Sequence, residues 1–435
     1  MKLYCLNGDP VYPCFVLTAK GCTVMLDCSL NMKPLQHFLP QMLVPAQRFE
    51  NMPNFRTHTG VQIDSTKEFN SRVYLNSTLE FSAPQFDLIN IEDLDAVLIS
   101  NFNSMLALPY LTKLKEFRAN IYVTEPIMHL GRILMEELCH FVKSNQMKEE
   151  SEKLNIPKNS TIEDKENIST DSPPVKQKRP NESQESSGSS FSWKQYSTQL
   201  AQAFNIVEPH LKPSNWKLLY TKEDIDLCLT KMKLVDYDER ISVFGSLVVH
   251  PKSSGYSLGS CNWTIEADCD SILYLSRSSL LNTHSKLFNQ QFLKSQPLVD
   301  CLLLSGLNQA ATHEPEAMVL DFCKACIVTI KNQGSVLIPT SPTGKIYDLI
   351  EILHRYLCDA NMSNVPVYFI SSFANQSLAY SNIFAEWLCD SKQSLAYAAE
   401  YPFQHGDLVK TNFLKVINQL FLKNSLEFKL INLKI

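Results

Sequence analysis

Glycine is scarce in this chain, at 12 of 435 residues, where ordinary proteins carry about 7%. Phosphate-cradling loops need several glycines close together, and none is found. There is no GxGxxG and no P-loop, and Thr343-Gly344-Lys345 lacks the glycines that would precede it. A codon bias toward Asn, Lys and Ser gives the same scarcity, so the motifs weigh more than the count. The GxSxG turn of serine hydrolases is missing too. The ten histidines never stand closer together than His129 and His140, so HxH, HxxH and HxxxH are all absent. That excludes the compact imidazole clusters from which zinc sites are most often built.

Positive charge is not in excess either. Forty Lys and Arg face 45 Asp and Glu, for a net charge of −5 and a pI near 6.1. A charge-driven nucleic-acid binder is disfavoured, and any contact with phosphate needs a local basic groove. No run of about 18 apolar residues occurs, and the start MKLYCLNGDPVYPCFVL lacks the basic and apolar regions of a signal peptide. The sequence therefore reads as an intracellular, soluble protein with no membrane partner. Thirteen cysteines, an odd number, are scattered through strand-like and helix-like segments. They fit buried thiols in a reducing compartment better than a disulfide framework. The single CxxC, Cys323 and Cys326, has neither a second pair nor a neighbouring histidine, which argues against a zinc or redox site there.

What the chain does have is material for a large core: 44% hydrophobic and 20% charged residues. At this length two domains, or one large domain with an insertion, are expected. Residues 11 to 28 read as two strands around a Lys20-Gly21 turn, the second ending on Asp27. Acidic groups at strand ends are where metal sites in layered α/β folds are often built. Short buried strands follow at Ala96 to Ile99 and Ile121 to Thr124, then a helix from Pro126 to about Val142. From 147 to 190 no aromatic residue occurs and nine serines do. Such a segment cannot bury enough apolar area to offset its ordering entropy, so a disordered loop insertion is expected. Its Lys176-Gln177-Lys178-Arg179 run is either a nuclear import signal or a solvated charge cluster. Ser172-Pro173 fits proline-directed phosphorylation.

Beyond the insertion a helix is expected around Asp224 to Met232. The strand-rich runs ISVFGSLVVHP, SCNWTIEA, SILYLS and VDCLLLSG come next. GKIYDLIEILHRYL then puts Ile346, Leu349, Ile350, Leu353 and Leu357 on one helical face. VPVYFIS reads as a buried strand and SNIFAEWLC as a helix, so residues 320 to 390 look like a parallel α/β unit. The tail places Phe413, Leu414, Ile417, Leu420 and Phe421 as for one more packed helix, followed by strand-like alternation from Leu426 to Leu430.

These pieces, taken in order, resemble the metallo-β-lactamase fold with an inserted β-CASP domain, as in the nuclease subunits of RNA 3′-end processing complexes. The resemblance rests on MLDCSL, LISNFNSMLALPYL, VTEP with LGRILMEEL, SSGYSLGSCNW, SVLIPTSPTGKIYDLIEIL and VPVYFISSFANQSLAYSNIFAEWLC. It implies an α/β fold, with a metallo-β-lactamase-like αββα sandwich followed by a β-CASP α/β domain. The segments would be 1–146 and 191–308 for the sandwich, 147–190 for the insertion and 309–415 for the β-CASP domain. Residues 416–435 form a divergent tail, so the chain reads as a fragment, a misjoined gene product or a shortened protein.

Active members of that family are expected to hold two zinc ions through an HxHxDH loop, a later His, a bridging Asp and two further His. Zinc would clamp the phosphate and lower the pKa of a bound water toward about 7. Matched position by position, the resemblance puts Asn101 and Asn103 at the leading histidines. Met105 stands in the shortened loop after them, Tyr256 at a ligand histidine, Arg277 at the bridging aspartate and Ser305 at a later acidic position. Only Asp27 survives, and the two C-terminal histidines are missing. Amides, thioethers and guanidinium are poor zinc ligands. A fixed charge at Arg277, about 4 Å from a dication, would oppose it by several kcal/mol. Arg277 either pairs with Asp27 or points to solvent. The resemblance thus implies no catalytic residues, no metal and no cofactor. It implies a silent scaffold, located in the nucleus, whose partners are an active endonuclease paralogue and the other subunits of an RNA-processing complex. The alternatives are an RNA-binding module gripping phosphate through Arg277 and a residual metal-dependent hydrolase.

Overall fold

Runs of β-branched and aliphatic residues at period two form the strands, and their two faces have different fates. A computed structural model of the chain describes residues 1–7, 9, 11–33, 42–45, 66–69, 72–75, 81–154, 216, 219–267, 270–281, 283–288, 299–306 and 313–417. The first sheet contains β1 (Lys2–Cys5), β2 (Phe15–Ala19), β3 (Cys22–Leu26), β7 (Ala96–Leu98), β8 (Asn120–Val123) and β9 (Met232–Leu234), in that order. β1, β2 and β3 are antiparallel, and the steps from β3 through β7 and β8 to β9 are parallel. The second sheet runs β10 (Ile241–Val243), β11 (Leu247–Ser253), β12 (Cys261–Ala267), β13 (Asp270–Leu275), β14 (Cys301–Leu304). Only its last pair, β13 with β14, is parallel.

The sheets share one core. Leu17, Val24, Leu26, Ala96 and Leu98 from the first meet Val249, Trp263, Ile265, Ile272 and Tyr274 from the second. The alternate residues of the first sheet, Val16, Met25, Val97 and Ile121, are also fully buried. They lie on its other face. Helices α1 (Leu108–Thr112), α2 (Glu125–Leu154) and α3 (Lys222–Thr230) contribute buried Leu111, Ile127, Leu130 and Ile225. α3 starts at a capping box in which Thr221 and Asp224 satisfy each other's backbone N–H groups at 3.2 and 3.0 Å. The α/β two-sheet sandwich expected from the sequence is present, and the Lys20-Gly21 turn joins β2 to β3 as read.

The later elements are α4 (Pro315–Lys331), α5 (Ile346–Asp359), β15 (Val367–Ile370), α6 (Ala374–Ile383), α7 (Asp390–Tyr397), α8 (His405–Lys410) and β16 (Leu414–Ile417). The face expected on α5 buries Ile346, Ile350, Leu353 and Leu357, with Tyr347 beside them. Three local readings are corrected. SNIFAEWLC divides between the end of α6 and a 3-10 turn at Ala385–Trp387. Leu414 to Ile417 pair in parallel with β15 as a strand, so they do not belong to a helix. α2 runs through Leu154, into the segment read as a disordered insertion; its remainder, 155–190, with the Lys176-to-Arg179 run and Ser172, and the tail after 417, lie outside the described residues.

Contacts divide the chain into Met1–Lys33, Phe81–Phe141 and Leu218–Ile435 as one unit, and Pro34–Glu80 with Val142–Lys217 as another. The second contains a three-stranded antiparallel sheet, in the order β4 (Met42–Pro45), β6 (Arg72–Leu75), β5 (Thr66–Phe69). No helix among the described residues is long and apolar enough to cross a membrane. The twelve described cysteines are all free thiols.

Gly259 fastens the entry of α2 to the loop before β12. It has φ +74°, and an added Cβ would stand 2.8 Å from both Pro126 Cβ and Thr124 Oγ1. The Thr124 hydroxyl donates to its carbonyl at 2.8 Å. Gly259→Ala combines a strained backbone with overpacking. It is expected to lower the unfolding free energy by about 2–4 kcal/mol, measured by urea denaturation; an unchanged midpoint would contradict this packing.

Candidate functional site

Asp27 ends β3 with a left-handed φ of +59° and is completely buried. Its N–H donates to Leu98 O at 2.9 Å, extending the parallel ladder one step past β3. The turned backbone aims the carboxylate at the second sheet. One oxygen accepts the Ser100 N–H at 2.8 Å and the other accepts the Tyr274 hydroxyl at 2.6 Å. Tyr274 lies 2.8 Å from Ser305 Oγ. Because the single phenolic proton is committed to Asp27, Ser305 donates to Tyr274. Burial and the Asp27 charge hold the phenol well above its usual range, so that proton stays. Burial raises Asp27 itself to about 6, partly offset by the Tyr274 and Ser100 donors.

The loop that should carry the leading ligands is turned to structural use. Asn101 caps the 3-10 turn Phe102–Met105, its Oδ1 accepting Ser104 N–H at 3.1 Å. Its buried Nδ2 finds no acceptor among the described residues. Asn103 is half-buried in the same turn. The Met105 thioether lies over Gly131 of α2, so close that a Cβ there would sit 2.1 Å from its sulfur. Cys28 donates its N–H to Ser104 O at 2.7 Å and accepts from Ala107 N–H at 3.0 Å, clamping this turn to the strand carrying Asp27.

Arg277 takes neither course expected for it. Its guanidinium donates to Val11 O at 3.0 Å and to the Tyr256 hydroxyl at 3.3 Å, and lies 5.9 Å from the Tyr256 ring. Asp27 has its own donors in Ser100 and Tyr274. Gly306, with φ +64°, makes room for the arginine stem: an added Cβ would sit 2.3 Å from Arg277 Cγ. The fold therefore brings Asp27 and Ser305 together through Tyr274, and Tyr256 and Arg277 together at Val11. Asn101 and Met105 face their own turn and α2.

A pair of zinc ions does not fit these residues. Asp27 is the single carboxylate among them, and the one side-chain nitrogen among them with no partner among the described residues, Asn101 Nδ2, is a donor and cannot ligate. Among the described residues no group of three or more His, Cys, Asp or Glu is arranged to hold a metal. Sequence spacing did miss one meeting of histidines. His284 and His405 both pack on Tyr347 and Phe403. His284 Nδ1 pairs with Asp348 Oδ2 at 2.6 Å, and burial lowers His405 to about 4. These rings belong to the packed core around α5. Tyr274, the residue at the middle of the site, gave no signal beyond its inward place in the alternation of β13.

Comparison with known proteins follows this geometry. No family model matches the chain. It is 39% identical to Integrator complex subunit 9 of Mus musculus, over 95% of this chain and 57% of that protein. It is 35% identical to the Integrator complex subunit 9 homolog of Nematostella vectensis, over 99% and 59%. Cleavage and polyadenylation specificity factor subunit 2 of Oryza sativa subsp. japonica is 24% identical over 48% of this chain and 27% of its own. The subclass B3 metallo-β-lactamase MEM-A1 gives a TM-score of 0.28 at 10% identity over 75% of this chain and 82% of its own. Zinc-bound PqqB from Methylobacterium extorquens gives 0.26 at 9% over 67% and 59%.

The titration of Asp27 has a definite sign. Its folded pKa, about 6, lies above the ordinary 3.8, so the folded state binds more protons between those values and this group adds stability as pH falls from 6 toward 4. His405, lowered to about 4 from 6.5, acts oppositely below pH 6.5. Comparing the wild type with Asp27→Asn isolates the first effect. The variant's stability relative to wild type should rise on going from pH 4 to 7 by up to about 1.4 kcal/mol per pH unit within the 4–6 window. Parallel stability curves from urea denaturation would refute it. Tyr274→Phe should cost about 1–3 kcal/mol at pH 7 by leaving Asp27 one donor short.

Proposed function

Since over 95% of its length the chain is a homologue of Integrator complex subunit 9, we propose that it serves as a catalytically silent scaffold subunit of the Integrator complex. It spans 57% of the length of those relatives. In this reading it supports small nuclear RNA 3′-end processing and nascent transcript cleavage in the nucleus. It does so by pairing with an active nuclease paralogue and holding other Integrator subunits. Two sheets close on a common core, and Asp27, Asn101, Tyr256, Arg277 and Ser305 make hydrogen bonds within the protein. The observation that carries the reading is Asp27, whose carboxylate is closed off by Ser100 and Tyr274 at 2.8 and 2.6 Å. Each oxygen keeps a second lone pair, but a metal ion there would meet only one carboxylate among amides, hydroxyls and a thioether. The likeness to cleavage and polyadenylation specificity factor subunit 2 lends support to a role beside RNA 3′-end processing. RNA binding through Arg277 is the weaker reading, because two of its donors already serve Val11 and Tyr256.

The purified chain is expected to carry less than about 0.1 zinc per molecule and to keep its melting temperature in a chelator, since no metal is linked to folding. It should cleave no RNA alone and should co-purify with a nuclease paralogue. Elemental analysis showing one or two zinc ions per chain, or RNA cleavage abolished by Asp27→Ala, would overturn the silent-scaffold reading.

A further inference from the structure

Parallel strands need a crossover, and the one between β13 and β14 occupies residues 276 to 300. Its described part is bonded both to the second sheet and to the later helices. Ser279 N–H donates to Ser254 O at 2.9 Å, and the Ser253 hydroxyl donates to Lys286 O at 2.6 Å. Gly255 permits the close approach: with φ +67°, an added Cβ would stand 2.3 Å from Ser279 O and 3.1 Å from Phe288 N. Toward the helices, Lys286 N–H donates to Trp387 O at 3.2 Å, and His284 O accepts the Cys389 N–H at 2.9 Å. The tie to α5 runs through His284. Its backbone N–H donates to Asp348 Oδ1 at 3.1 Å, and its ring Nδ1 pairs with Asp348 Oδ2 at 2.6 Å, in the first turn of that helix.

Two aromatic rings hold the His284 ring in place. Tyr347 and Phe403 lie 5.4 and 5.9 Å from it, both edge to face. The same two rings carry His405, at 6.0 and 4.9 Å, and Phe403 is stacked on it at 16°. His405 opens α8 and is 1% exposed. Its hydrogen bonds are long: Nδ1 stands 3.5 Å from Ser381 Oγ, and Nε2 stands 3.4 Å from Tyr347 O. Such contacts give a charged ring little in return for the water it has lost. The charged and titratable groups that face His405 are Lys392 of α7 and His284, which oppose a positive charge, and Asp348 of α5, which favours one. Asp348 is already engaged by His284, and Lys392 donates to both oxygens of Glu351 at 2.8 and 2.7 Å. Burial decides the balance and holds His405 at about 4, below its ordinary 6.5.

We propose that α8 is an acid-released latch: with a neutral His405 it closes over Tyr347 and Phe403, and when His405 takes up a proton α8 lifts away and the crossover loses its hold on α5. The sign follows from the burial. The closed state refuses a proton that the open state accepts, so the closure is complete above pH 6.5 and weakens as the pH falls toward 4. α8 is the element suited to open, because His405 and Leu408 are the two buried residues among its six. The crossover follows because His284 shares both of its aromatic neighbours with His405. This inference is independent of the scaffold reading.

Hydrogen exchange on the full chain, resolved to single amides and corrected for the intrinsic exchange rate, tests the latch. Between pH 7 and pH 5 the protection of the His284, Lys286, Cys389 and Leu408 amides is expected to fall about twentyfold, the ratio set by a site that moves from about 4 to 6.5 on opening. The amides of β12, held between β11 and β13, should keep their protection. His405→Phe occupies the same space without a titrating group and should abolish the pH dependence at all four positions; His405→Gln supplies the same readout where the Phe variant does not fold. Protection in the wild type that is independent of pH over this range overturns the latch, as does an equal fall in the wild type and both variants. A fall shared by the β12 amides overturns it by showing global unfolding. A fall at Leu408 without one at His284 and Lys286 refutes the link to the crossover, and with it the proposal.

Discussion

The carboxylate of Asp27 sits at the junction of two sheets with no access to water, and its neighbourhood follows from that placement. A buried carboxylate costs several kcal/mol unless donors surround it. The donors here come from both layers: the Ser100 N–H from the loop after β7, and the Tyr274 hydroxyl from β13. Ser305 extends the chain to the end of β14. The ends of four strands, β3, β7, β13 and β14, are thereby tied around one anion, and Asp27 takes its left-handed turn at that point. The same burial raises its pKa, so the tie responds to protons, and the phenolic donor keeps the geometry in either protonation state.

Around this centre the side chains pack and hydrogen-bond within the protein. Asn101 spends its carbonyl oxygen on a turn, Met105 fills the space above a glycine of α2, and Arg277 bonds the backbone carbonyl of Val11. Each use is cheap for the residue type concerned: amides cap turns, thioethers fill irregular gaps and guanidinium forks satisfy carbonyls. Gly306 and Gly255 have parallel roles, one admitting the Arg277 stem and the other the backbone of Ser279 and Phe288. With so few glycines in the chain, their positions carry more structural meaning than their number.

Much of the sandwich was legible beforehand because its signal is local. Hairpin residues Phe15 to Leu26, the short strands at 96 and 120, and the apolar face of α5 follow from side-chain period and turn chemistry. The readings that failed lie where a short apolar run suits either state. Leu414 to Ile417 form a strand because β15 offers a parallel partner, a fact with no trace in the residues themselves.

The chain's own letters fix which residues stand at the positions the resemblance picks out: Asp27, Asn101, Asn103, Met105, Tyr256, Arg277 and Ser305, one carboxylate and no imidazole. That much needs no coordinates. Which of those residues touch was decided only in three dimensions. Tyr274 reaches Asp27 across 247 positions of sequence and Arg277 reaches Val11 across 266. Contacts of that span arise when two sheets close on a common core, because burial then forces every stranded polar atom to find the nearest partner the fold supplies.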